Sequence, residues 1–156
     1  MLSHKVLTRQ DVGDAAGYYE DGADDYYAQE GEASAWQGKG AEALGLTGAV
    51  DSKRFRELLS GEVQPGIAIT RDGTRKDSKR RLGIDLTFSA PKSVSLQALI
   101  GGDVEIIKAH DRAVARALEH AEERAQARKK VDGRSQVETT GNLVVAKFRH
   151  ETSREQ

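Results

Sequence analysis

The only four tyrosines of the chain stand as two adjacent pairs, Tyr18-Tyr19 and Tyr26-Tyr27, eight residues apart. Carboxylates crowd around them: Glu20, Asp21, Asp24, Asp25 and Glu30. A phenol titrates at about pH 10, so it is a weak nucleophile at neutral pH unless its anion is stabilised. Attack on a phosphodiester is one use for it. The ester so formed keeps the phosphate activated, and a second tyrosine permits a second transfer before the first product leaves. A metal ion that withdraws charge from the scissile phosphate assists both steps. The plainer alternative has the rings packing at a core edge with wet hydroxyls, beside an acidic, solvated face.

His150 offers an imidazole, a common ligand of transition metals. A lone histidine is also a common structural or surface residue. In the segment 81–89, Leu82, Ile84, Leu86 and Phe88 alternate with Gly83, Asp85 and Thr87, the period of a strand. Asp85 thus falls on the face opposite the apolar set. A carboxylate there can accept a hydrogen bond from a ligating imidazole and fix its tautomer. Equally, it can face solvent on an open sheet. Residues 71–81 hold Arg71, Arg75, Lys76, Lys79, Arg80 and Arg81 against two aspartates. Guanidinium forks contact phosphates bidentately, and the rival reading is a solvated loop. There is no phosphate-binding glycine loop, dinucleotide fingerprint or serine-hydrolase elbow.

These groups need a scaffold, and 156 residues is about one domain's worth. The formal net charge of −1 hides a division. Residues 1–50 carry three Lys/Arg against nine Asp/Glu, and residues 51–156 carry 21 against 16. The basic part can face a polyanion. Cysteine is absent, which excludes disulfides and thiol chemistry and suits a reducing compartment. No run approaches the ~18 apolar residues of a membrane helix, and MLSHKVLTRQ lacks the apolar core of a secretion signal. A cytoplasmic protein is expected.

Thr8 and Asp11 resemble a helix start, predicting a helix over 9–19. Residues 22–50 read as loop with at most one helical turn. Ser52 caps a helix over 53–60 that Gly61 ends. Strands are expected at 66–70 and 81–89. Pro91 opens a helix over KSVSLQALI. A long helix runs from Asp103 to about Lys130, with Arg128, Lys129 and Lys130 complementing its dipole. Asp132-Gly133 then turns the chain, and 142–150 is a strand. Strands and helices mix without regular alternation, so the expected class is α+β, an antiparallel sheet with helices packed on one face.

Three stretches together carry a family likeness: MLSHKVLTRQDVGDAAGYYEDGADDYYA at the start, DLTFSAPKSVSLQAL at 85–99 and GNLVVAKFRHETSRE at 141–155. The chain resembles the N-terminal relaxase domain of MobF-type conjugative plasmid relaxases (TrwC/TraI-like), of the HUH endonuclease group. The resemblance covers essentially all of residues 1–156 and is nearest the TrwC branch. It implies a palm-like HUH relaxase fold and a bacterial, plasmid-encoded enzyme. Such an enzyme nicks one DNA strand at the origin of transfer through a covalent 5′-phosphotyrosine and later rejoins it. It implies that Tyr18 starts the reaction and Tyr26 serves the second transfer, with Tyr19 and Tyr27 as companions. Asp85 is implied to orient a metal-ligating histidine, and His150 to be the first of three ligands to a divalent ion (magnesium, manganese or zinc).

The implied partners are single-stranded or hairpin origin DNA, contacted by residues 71–81, an accessory DNA-binding protein and a coupling protein. One departure bears on this. The family's other two histidines form an H-x-H pair about ten residues beyond His150, and the chain ends at Gln156. His4, His110 and His120 do not match those positions. The expectation is therefore an N-terminal part of a relaxase domain, incomplete at its C-terminal end. By this reading it should bind metal poorly, expose an unpaired sheet edge, and be impaired in nicking DNA unaided. The rivals are a non-catalytic single-stranded DNA-binding module, a rolling-circle replication initiator with the same tyrosine chemistry, and a purely structural interaction domain.

Overall fold

The computed structural model describes residues 1–8, 34–68 and 81–149. They divide into two compact units, each described by itself below. The first holds residues 1–8, 34–35, 48–68, 81–89 and 146–149, and the second holds 36–47 and 90–145.

In the first unit β1 (Leu2–Thr8) pairs antiparallel with β5 (Arg81–Phe88). The register sets Leu2 opposite Phe88, His4 opposite Leu86, Lys5 opposite Asp85 and Leu7 opposite Gly83. It slips between Leu7 and Thr8, because Thr8 pairs with Arg81. Leu82 is the extra residue of a β-bulge, which adds local twist to the ladder. The strand predicted at 81–89 is therefore present, and β1 is a partner that the sequence pattern left unassigned. Helix α2 (Ser52–Ser60) ends at Gly61 as expected, but its cap is Asp51, whose Oδ1 accepts from Arg54 N at 2.7 Å. The Arg54 guanidinium donates to Glu57 Oε2 at 3.1 Å and to the carbonyls of Glu62 and Val63. That ties the helix to β3 (Glu62–Gln64), which pairs antiparallel with β4 (Ile67–Ala68). Residues 69 and 70 of the predicted strand lie outside the described residues, as does the predicted helix 9–19.

In the second unit α3 (Lys92–Leu99) starts directly after Pro91, as predicted. It packs against α4 (Val104–Glu123), and the buried side chains here are Ala98, Leu118, Ala41 and Glu122. Asp103 caps α4 through Glu105 N. The helix stops at Glu123, not near Lys130. Residues 126–131 form strand β6 (Gln126–Val131) instead, antiparallel to β7 (Arg134–Thr139). The physical reason lies in Asp132-Gly133. Both residues are left-handed, with φ of 48 and 75, the two-residue type I′ turn that matches strand twist and favours Asp-Gly. Cross-strand pairing overrides the helical propensity of Ala, Arg and Lys. Arg128, Lys129 and Lys130 therefore stand on a ribbon and complement no helix dipole.

The stretch predicted to be mostly loop holds β2 (Ser34–Gln37) and the one-turn α1 (Lys39–Ala43). Strand β2 pairs with β8 (Val145–Phe148), shorter than the strand expected over 142–150. A single carboxylate organises the approach to β8. Glu122 Oε1 accepts from Lys39 N at 2.8 Å and from Leu143 N at 2.9 Å. The first contact satisfies an N–H at the start of α1 that has no partner within the helix. Gly40 N donates to Leu143 O at 2.9 Å, so segment 142–144 lies directly on α1. Glu122→Ala strands two backbone donors and is expected to cost about 1–2 kcal/mol in chemical denaturation. Glu122→Gln keeps an acceptor oxygen and should cost less than half as much. Equal losses in the two variants would show that the oxygen is not what holds the segment.

Candidate active site

Asp85 sits mid-strand on β5, half-buried. The alternation predicted from sequence is present, but the cover is divided between the faces: Leu82 and Phe88 of the apolar set are half-buried, and Thr87 of the other set is exposed. Ile84 is 65% exposed and Leu86 39% exposed, while Gly83 and Asp85 are half-covered. Helix α2 packs on the Gly83 side. A Cβ placed on Gly83 would lie 3.7 Å from Leu59 Cδ2 and 3.9 Å from Leu7 Cδ1, both ordinary contact distances. Asp85 shares that face of the strand. An Asp85 turned wholly to solvent, the alternative weighed from sequence, does not describe this arrangement. Its cross-strand neighbour is Lys5, an opposite charge at the closest position a ladder offers.

The second element of the site is the end of β8. Phe148 meets Phe55 of α2 edge to face, with ring centroids 5.3 Å apart and planes at 67°, a geometry favoured by the ring quadrupoles. Phe148 lies two residues before His150 in sequence. Phe55 and Leu59 are four apart and share one face of α2. One helix therefore supports both the strand that carries Asp85 and the strand that leads to His150. Neither residue was singled out from sequence, although their i, i+4 apolar spacing on a short polar helix was the available signal.

Tyr18, Tyr26, His150 and five of the basic residues (Arg71, Arg75, Lys76, Lys79 and Arg80) lie outside the described residues. Arg81 is described. It opens β5, exposed, opposite Thr8. Among the described residues no group of three His, Asp or Glu side chains is arranged to hold a metal. His110 and His120 lie on α4, where His120 Nδ1 stands 3.0 Å from Arg124 Nη1. His4 is on β1 opposite Leu86. No described helix is long and apolar enough to cross a membrane.

An antiparallel α+β fold with a half-covered aspartate on β5, and one helix in contact with both β5 and the strand that precedes His150 in sequence, frames the class. The chain belongs to the TrwC relaxase family, whose sequence profile matches residues 12–156. It is 46% identical to the Multifunctional conjugation protein TraI of Escherichia coli, across 100% of this chain and 9% of that protein. Among solved structures it is similar to the conjugative relaxase TrwC in complex with oriT DNA. A metal-free TrwC structure gives a TM-score of 0.82 at 69% identity over 99% of this chain and 51% of that one. A copper-bound TrwC structure gives 0.82 at 74% identity over 98% and 52%. A third, with a 27-mer DNA comprising the recognition hairpin and the cleavage site, gives 0.81 at 67% identity over 99% and 50%. The chain spans about half the length of these solved chains and under a tenth of the curated relative. The mixed helix and antiparallel-sheet fold expected from sequence is the fold of these relaxases.

Proposed function

We propose that residues 1–156 are the N-terminal part of a relaxase domain that nicks one strand of plasmid DNA at an origin of transfer and rejoins it. Support comes chiefly from one observation: the family match over residues 12–156 spans both tyrosine pairs, Asp85 and His150, and TrwC relaxases have been solved on oriT DNA. In this reading the Tyr18 oxygen attacks the scissile phosphorus and the bond to the 3′ oxygen breaks. The phenolic proton is lost to a base, a role assigned in this reading to Asp85, and the leaving 3′ oxygen takes up a proton. The product is a 5′ phosphate esterified to Tyr18. Tyr26 performs the corresponding attack on a second strand, and rejoining reverses the chemistry. His150 contributes one ligand to a divalent ion, which supplies charge withdrawal at the phosphate when bound. Structures of TrwC in metal-bound and copper-bound form support a metal without fixing its identity.

The substrate in this reading is single-stranded DNA beside a hairpin, contacted by the segment 71–81. The place of action is the cytoplasm of a plasmid-bearing bacterium, with an accessory DNA-binding protein and a coupling protein as partners. The test is to incubate a longer relaxase chain that contains residues 1–156 with an origin oligonucleotide and divalent metal, then digest with trypsin and look for attached nucleotide by mass spectrometry. Trypsin cuts after Arg9 and next after Lys39, so one peptide carries all four tyrosines and fragment ions must locate the adduct. Attachment at Tyr18 is expected. Strand cleavage with no adduct in that peptide would remove the reading.

A further inference from the structure

The face of the β1–β5 ladder that carries Asp85 is built of Ser3, Lys5 and Leu7 from β1 and of Thr87, Asp85 and Gly83 from β5. Its two ends differ. Gly83 lies against Leu59 of α2, with Leu7 alongside. At the other end Ser3, Lys5 and Thr87 are exposed and Asp85 is half-buried. The open end thus offers one cation, one carboxylate and two hydroxyls, and the mechanism above gives the cation no role. The backbone beneath it is fixed. The Met1 amino group donates to Ser89 O, and Ser89 N donates to Met1 O at 2.8 Å. In an antiparallel ladder such doubly bonded pairs alternate with unbonded ones. Along this register Ser3 with Thr87 and Lys5 with Asp85 are therefore bonded pairs as well. The Cα atoms of such a pair stand about 5.5 Å apart, held by two reciprocal bonds.

We propose that Lys5 is a further catalytic residue, its ammonium touching a non-bridging oxygen of the scissile phosphate. The inference rests on the relaxase reading, in which Asp85 takes the phenolic proton. A base stands about 2.6–3.2 Å from the oxygen it deprotonates. That oxygen stands about 3–3.5 Å from the atom it attacks. The phosphorus therefore lies within about 6–7 Å of the Asp85 carboxylate. A lysine directly opposite that carboxylate, on its flexible four-carbon stem, covers this distance. A carboxylate beside a phosphate is a pair of like charges, and Lys5 stands where it offsets their repulsion. An ammonium is also the compact point charge that suits phosphate. It stays protonated and donates hydrogen bonds, so no bond or proton is added to the step. The attack brings an anionic phenolic oxygen onto an anionic phosphate. A cation fixed beside both stabilises that crowding of charge more than it stabilises the bound substrate.

The experiment follows single-turnover cleavage of a labelled origin oligonucleotide by a longer relaxase chain that contains residues 1–156, with divalent metal. Lys5→Met keeps the length of the side chain and removes its charge. It should slow cleavage by about 30-fold or more, somewhat below the loss of a donor in a closed site. Affinity for the same oligonucleotide, read by fluorescence anisotropy, should fall by no more than about threefold. Lys5→Arg keeps the charge and should stay within about fivefold of the unaltered rate. Lys108→Met removes a charge from the exposed side of α4 and should leave the rate within about twofold. On an Asp85→Asn background, Lys5→Met should slow the residual cleavage by a further factor of about ten. If it adds nothing there, Lys5 acts only through the carboxylate and the proposed contact is overturned. A Lys5→Met rate within about twofold of normal, a Lys5→Arg protein as slow as Lys5→Met, or an equal loss in Lys108→Met also overturns it. The Tyr18 adduct is scored in the same reactions. Adduct formation with an unslowed Lys5→Met protein removes the lysine inference alone. Cleavage that forms no adduct, yet is slowed in Lys5→Met, removes the relaxase reading alone.

Discussion

Tyr18→Phe is expected to lower nicking of origin DNA by roughly four orders of magnitude or more, the scale of losing a nucleophile. Phenylalanine keeps the ring and its stacking surface and removes only the oxygen. Affinity for the oligonucleotide should therefore stay within about threefold, and the loss should fall on kcat, as for an interaction made only in the transition state. No protein–DNA adduct should accumulate. Tyr26→Phe should leave the first nick near normal and impair the second strand transfer, because the first step uses only one phenol. Tyr19→Phe and Tyr27→Phe should change either step little. Gel assays of single-turnover cleavage and adduct formation separate these cases. A Tyr18→Phe protein that cleaves at more than a tenth of the normal rate would move the chemistry to another residue.

Gly40→Ala is expected to destabilise the second unit by about 2–4 kcal/mol, although alanine is ordinarily better than glycine inside a helix by about 1 kcal/mol. The added Cβ would lie 2.5 Å from Asn142 Oδ1, 2.7 Å from Leu143 O and 2.8 Å from Val144 Cγ2. Asn142 can swing away, but the Leu143 carbonyl is held by the bond it accepts from Gly40 N, and Leu143 N is held by Glu122. Overpacking against fixed backbone costs about 1–3 kcal/mol per site before the helix segments separate. A urea transition should move to lower midpoint with an unchanged slope, and a thermal midpoint should fall by about 5–10 °C. A midpoint equal to or above that of the unaltered protein would mean that segment 142–144 yields freely, and the clamp would lose its significance.

The elements visible in the sequence are those whose instructions are local. Asp51, Ser52 and Gly61 bracket α2 within ten residues, Pro91 opens α3, and the alternation around Asp85 marks β5. What stayed hidden depends on residues far apart in sequence. Strand β1 has little pattern of its own and becomes a strand because β5 offers its edge. The Glu122 contact joins α4 to Lys39 and Leu143, and nothing near Glu122 in sequence announces it. The ribbon was misread for a different reason. Residues 124–130 are good helix formers, so propensity continued α4 through them, while the Asp132-Gly133 turn carried the decisive and shorter-range hairpin signal. The apolar residues of β5 were expected to be its covered side. Only Leu82 and Phe88 of that set are half-buried, and α2 packs on the side of Gly83 and Asp85, a choice that hydrophobic period alone does not contain.

The pairing of Leu2 with Phe88 has a consequence for how the chain assembles as it is made. At about 5–20 residues per second of synthesis, β1 waits on the order of 4–17 s for its partner to be translated. The hairpin across Asp132-Gly133 closes within about 1–10 μs once its residues are free. The first strand made thus waits far longer for its ladder partner than either strand of the ribbon, which are joined by only two residues.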